Sequence, residues 1–188
     1  MVVSASEEVV ISAGQKRLVR ARAAALLSAL EAKEGEILEP LSWQQLLLVP
    51  DWCFWDESRR ERLTLIAGAL FVAPAMRLWI DADRLRQARE LLGEPVFNTI
   101  VASKAIPKES VQVSQEEQLE DVFFSAGLAV LLSSLDPALR PRLTQLLNRR
   151  AAGMMPQHVA VLLANEAVLI LQEVLETKRA ADESGEEE

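Results

Sequence analysis

An apolar run from Leu63 to Met76, LTLIAGALFVAPAM, constrains the fold more than any other part of this chain. The run contains fourteen residues between Arg62 and Arg77, whereas a membrane-spanning helix needs roughly twenty. A helix that is apolar on every side and too short to cross a bilayer is typical of a protein core. The run therefore predicts a mostly buried core helix.

Apolar residues recur at helical spacing through most of the remaining chain. Residues 103–113, SKAIPKESVQV, form the one convincing internal loop, and EVVISA near Val9 is a weak strand pattern. The predicted helices are about Gln15–Lys33, WQQLLLV after Ser42, ESRRERLTLIAGALFV after Asp56, ADRLRQARELL after Asp81, VFNTIVA after Pro95, QEEQLEDVFFSAGLAVLLSSL after Ser114, Asp136–Arg150 and Gln157 to about Lys178.

Residues with capping preferences mark the ends of these helices. Ser42, Asp56 and Asp81 each precede a predicted helix, where a side-chain oxygen can accept a hydrogen bond from a free N–H of the first turn. An S-x-x-E capping box occupies residues 114–117. Gly93 takes the position after a helix that favours a left-handed conformation.

These patterns predict an all-α protein with one compact multi-helix domain. Its helices are short in the N-terminal half and longer and closely packed in the C-terminal half. The 188 residues suit a single domain, which is expected to cover residues 1–179, with the order of residues 1–13 left open. Residues 180–188 are expected to form an acidic disordered tail.

The charge balance and the cysteine count restrict partners and compartment. The net charge is −8, and five acidic side chains lie in the last seven residues, so about −3 remains on the body. Phosphate-backbone contacts need local cations, so this balance disfavours nucleic-acid binding. A lone cysteine favours a reducing, cytoplasmic compartment. The N-terminus MVVSASEEVV lacks the basic and apolar regions of a secretory signal, and we expect no membrane insertion.

Few residues could carry catalysis or bind a metal ion. One histidine and one cysteine cannot furnish the usual zinc ligand sets, and no glycine-rich phosphate motif is present. His158 starts a predicted helix without a partnered base or nucleophile, and Cys53 between Trp52 and Phe54 has the setting of a small buried hydrophobic residue. Asp81, the first residue of a D-x-D motif, is interpreted as an N-cap. The sequence therefore predicts no enzyme, no cofactor and no metal site.

Three residues are candidates for binding a protein partner: Trp52, Arg86 and Arg89. Trp52 belongs to LLLVPDWCFW, residues 46–55, and either seals a junction between short helices or stays exposed as an anchor. Arg86 and Arg89 must project outward, because the apolar residues of their helix face the core. The two arginines either dock an acidic patch or belong to a solvated face on which Arg86 pairs with Glu90.

A family resemblance rests on the segment from Leu41 to Val101. The matching features begin with a proline-tryptophan turn at Pro50 and Trp52 and a small-residue apolar helix over Leu63–Val72. They continue with Pro74, which hydrophobic residues follow, and with an arginine-bearing helix that ends in LLGE at residues 91–94. In these features the chain resembles the K-component family of bacterial type III secretion. Members of this family are accessory proteins of the cytoplasmic sorting platform.

The resemblance implies a non-enzymatic adaptor in a virulence-associated protein transport system. Such an adaptor links the cytoplasmic domain of an inner-membrane ring protein to the pod scaffold protein that carries the export ATPase assembly. The implied location is the bacterial cytoplasm, peripheral to the inner membrane through protein partners. The family offers no catalytic residues to transfer. The alternative function is a small helical regulator or secretion chaperone that binds a different protein client.

Overall fold

A computed structural model of the chain describes residues 42–103, 118–141 and 155–185, together with the single positions 14, 17, 18, 20, 21, 144 and 153. Within these residues the ordered elements are six α-helices and one 3-10 helix, and no strand is present. The prediction of an all-α fold is confirmed. The elements are α1 (Trp43–Leu47), the 3-10 helix (Asp51–Phe54), α2 (Glu57–Met76), α3 (Ala82–Leu92), α4 (Glu94–Ala102), α5 (Leu119–Ser134) and α6 (Gln157–Gly185).

The predicted N-caps of α1, α2 and α3 are confirmed. Ser42 forms a reciprocal capping box with Gln45, in which each side chain accepts from the other residue's backbone N–H. Asp56 accepts a 2.8 Å hydrogen bond from the backbone N–H of Arg59. Asp81 accepts from two backbone N–H groups in the first turn of α3. Side-chain oxygens at these positions replace the missing intrahelical acceptors, which explains why the helices begin there.

Gly93 joins α3 directly to α4. Its φ of +81° is a conformation that costs other residues strain. The guanidinium group of Arg62, on α2, donates to the carbonyl oxygens of Leu91, at 2.7 Å, and of Leu92. Partial burial lowers the pKa of Arg62 from its ordinary value by desolvation. One arginine therefore satisfies carbonyls at the C-terminal end of α3 and fastens the α3–α4 corner to α2.

The core lies where α2, α5 and α6 pack against one another. The predicted burial of the Leu63–Met76 run is confirmed, because most of its side chains are inaccessible to solvent. Gly68 of α2 and Gly127 of α5 let the two backbones meet. A Cβ placed on Gly68 would lie 1.7 Å from the carbonyl oxygen of Phe123. This separation leaves no room for any side chain at the crossing.

Two predicted C-terminal helix ends are wrong, and so is one predicted start, because α5 begins at Leu119 with Gln118 as its N-cap and not directly after Ser114. Helix α2 passes through Pro74 and ends at Met76, because a proline so close to the end removes a single hydrogen bond and the Arg77 N–H still reaches the carbonyl of Ala73 at 3.1 Å. Helix α6 continues past the predicted end near Lys178 to Gly185. The expected disordered tail is therefore helical over residues 180–185, where alanines and acidic residues precede the first glycine.

Several predictions lie outside the described residues. These concern most of the first predicted helix, the weak strand near Val9, the capping box at 114–117, the loop after Ser103, most of the helix predicted for Asp136–Arg150 and the last three residues.

Helix α6 is long and apolar enough, by length and composition alone, to cross a membrane. Its stretch Gln157–Thr177 has a mean hydropathy of 1.6, and 33% of the scored window is buried inside the protein. The core helix of a soluble protein meets the same criteria. A single helix of this kind is a weak indication of a membrane span.

Candidate protein-binding surfaces

The aromatic turn, by which we mean residues 50–55, belongs mainly to the core. Trp52 is 5% exposed, and Cys53 beside it is buried as predicted. The turn closes through hydrogen bonds from the Cys53 N–H to the Pro50 carbonyl and from the Trp55 N–H to the Trp52 carbonyl. The alternative of Trp52 as an exposed anchor is therefore wrong, because its side chain is buried within the hydrophobic core.

Trp55 is the tryptophan of this turn that remains partly exposed. The Arg59 guanidinium lies 3.8 Å from the centroid of its ring, within the range of a cation–π contact. Beside the ring, the turn and α6 border an open groove of about 300 Å³. Its lining residues come from the turn, from the end of α5 and from α6: Pro50, Asp51, Trp52, Trp55, Ser134, Val161, Ala164, Asn165, Val168 and Gln172.

Arg86 and Arg89 lie on the exposed side of α3, as predicted. Arg86 is paired within its own helix, at 2.9 Å to the Asp83 carboxylate and at 3.9 Å to that of Glu90. The second contact confirms the predicted pairing four residues apart. The Arg89 guanidinium lies 5.1 Å from the centroid of the Phe97 ring. Exposed ion pairs of this kind contribute little to stability. Both arginines are exposed and therefore accessible to a partner. Their role in binding stays a prediction.

The position of Arg84 contradicts the prediction that α3 has one apolar face in the core and one charged face in solvent. Arg84 is buried, with its guanidinium 4.9 Å from the centroid of the Trp79 ring. Leu85 and Leu91, expected in the core, are half-buried. A planar guanidinium that stacks on an aromatic ring can take a core position, and this arrangement leaves part of the apolar stripe of α3 near the surface.

Sequence reasoning missed an exposed apolar tip between α2 and α3. Leu78 is 74% exposed and Ile80 is 98% exposed. Trp79 between them turns inward and packs against the core. The signal was present in the sequence, because two large aliphatic residues there fall outside every predicted helix.

A second missed feature lies on α6. Leu162 is 61% exposed and Leu169 is 60% exposed. Of the eight exposed large hydrophobic residues among the described positions, four belong to this helix. Single exposed aliphatic residues are normal on protein surfaces, but this concentration on one helix sets α6 apart. The spacing of seven residues between the two leucines already placed them on one helical face.

The remaining chemistry is sparse in the described part of the chain. His158 is exposed in the first turn of α6, as predicted. Among the described residues, no group of three or more histidine, cysteine, aspartate or glutamate side chains is placed to hold a metal ion.

Neither a protein-family model, nor a curated protein, nor a solved structure matches this chain.

Proposed function

We propose that this chain is a non-enzymatic adaptor of the K-component family in a type III secretion sorting platform. It links the cytoplasmic domain of the inner-membrane ring protein to the pod scaffold protein. Its place is the bacterial cytoplasm, where it is held at the inner membrane through these protein partners. The observation that carries the proposal is the apolar tip, by which we mean Leu78 and Ile80.

The apolar tip is held rigidly, although both of its side chains are solvated. The Arg77 guanidinium donates to the carbonyl oxygens of Val101, at 2.9 Å, and of Ser103. On the other side, the Asp81 carboxylate caps α3. A loop whose backbone is already fixed has no backbone ordering cost on binding, so burial of such a side chain adds about 1.5–3 kcal/mol to an interface, less the loss of its rotamer freedom.

The segment that carries the family resemblance also folds as connected structure. The Arg60 guanidinium of α2 donates to the Cys53 carbonyl of the aromatic turn at 3.4 Å. Arg62 holds the end of the arginine-bearing helix α3 through the Leu91 carbonyl. The turn, the apolar helix and the arginine-bearing helix are therefore parts of one packed unit.

The apolar tip and the Arg86–Arg89 face provide two kinds of contact. The tip suits an apolar pocket on one partner. The two cations, next to each other along α3, suit an acidic patch, where they would mainly raise the rate of association. These two surfaces differ in chemistry, which suits an adaptor for two partners better than a chaperone for one client.

The proposal is tested by measuring binding of the full chain to each purified partner by isothermal titration calorimetry. We expect both partners to bind. The double variant Leu78→Ser, Ile80→Ser should weaken one of the two affinities by about tenfold or more, with an unchanged melting temperature. The matched control, Leu162→Ser with Leu169→Ser, removes two exposed leucines from α6 and should leave both affinities unchanged.

Two results would contradict the proposal. If neither partner binds, the chain is not a sorting-platform adaptor, and binding of one unfolded secreted client in their place would favour the chaperone alternative. If both partners bind and the tip variant retains both affinities, the apolar tip is not a docking surface.

A further inference from the structure

We draw no further inference here: the strongest candidate, the open groove of about 300 Å³ between the aromatic turn, the end of α5 and α6, carries none because nothing in the described part of the structure shows what covers it.

Discussion

The contact between Gly68 and Gly127 offers the sharpest test of the fold. A Cβ on Gly68 would lie 1.7 Å from the Phe123 carbonyl oxygen, and one on Gly127 would lie 1.9 Å from the Thr64 carbonyl oxygen. Ordinary contact begins at 3.4 Å. Because both obstacles are backbone atoms, no rotation of a side chain can relieve the clash. Helices α2 and α5 would have to move apart by about 1.5–1.7 Å, which loosens the centre of the core.

The variant Gly68→Ala should therefore lose about 3 kcal/mol or more in the free energy of unfolding, at the upper end of the cost of overpacking. For a chain of this size that loss lowers the melting temperature by about 6–12 °C. Gly127→Ala should behave in the same way. The measurement is urea unfolding followed by circular dichroism.

A matched control is offered by Gly14, which is helical and has nothing within 4 Å of the position that a Cβ would take. There the alanine substitution should be neutral or should stabilise the helix by up to about 1 kcal/mol. If Gly68→Ala unfolds at the same urea concentration as the unaltered chain, the close crossing of α2 and α5 is wrong.

Three further predictions follow from individual side chains. Trp52→Ala should cost about 3–5 kcal/mol in unfolding free energy, because the indole is buried, and partner binding should fall only as folding falls. Arg62→Met should lower the unfolding free energy by about 1–3 kcal/mol, because the Leu92 carbonyl loses its donor. Replacing Arg86 and Arg89 with glutamate should leave the melting temperature nearly unchanged and slow association with one partner several-fold at low salt.

Each of these predictions can be contradicted by a specific result. Unchanged melting with lost partner binding in Trp52→Ala would restore the tryptophan as an exposed anchor. Unchanged stability in Arg62→Met would mean that the α3–α4 corner does not depend on α2. If the glutamate double variant and the unaltered chain associate with each partner at the same rate at every salt concentration, the Arg86–Arg89 face is not a docking surface.

The parts of the fold that sequence predicts well are local. The cap at Asp56 needs only its neighbours along the chain, and the apolar run that follows Arg62 can be accommodated only in a core. The close approach of Gly68 to Gly127 could not be predicted from the sequence, because it depends on which helices cross and where they cross. No periodicity within α2 alone reveals the partner backbone.

The candidate surfaces show the same limit. Residue type allowed Trp52 to be either core or anchor, and only its packing decided between them. On α6, the line from Val159 to Val174 and the leucines at 162 and 169 are both apolar, so the sequence contains two faces that could have been buried. The body covers the first and leaves the second exposed. Burial of one face rather than the other is a property of tertiary structure.

The central claim is that one chain binds two folded partners at the same time. The most direct measurement is the mass of a mixture of the full chain, the purified cytoplasmic domain of the ring protein and the purified pod scaffold protein, determined by light scattering after size-exclusion chromatography. The account predicts a species that contains all three proteins and that does not form when the chain is left out. Mutually exclusive binding of the two partners, or a complex of the partners that forms equally well without the chain, would contradict it.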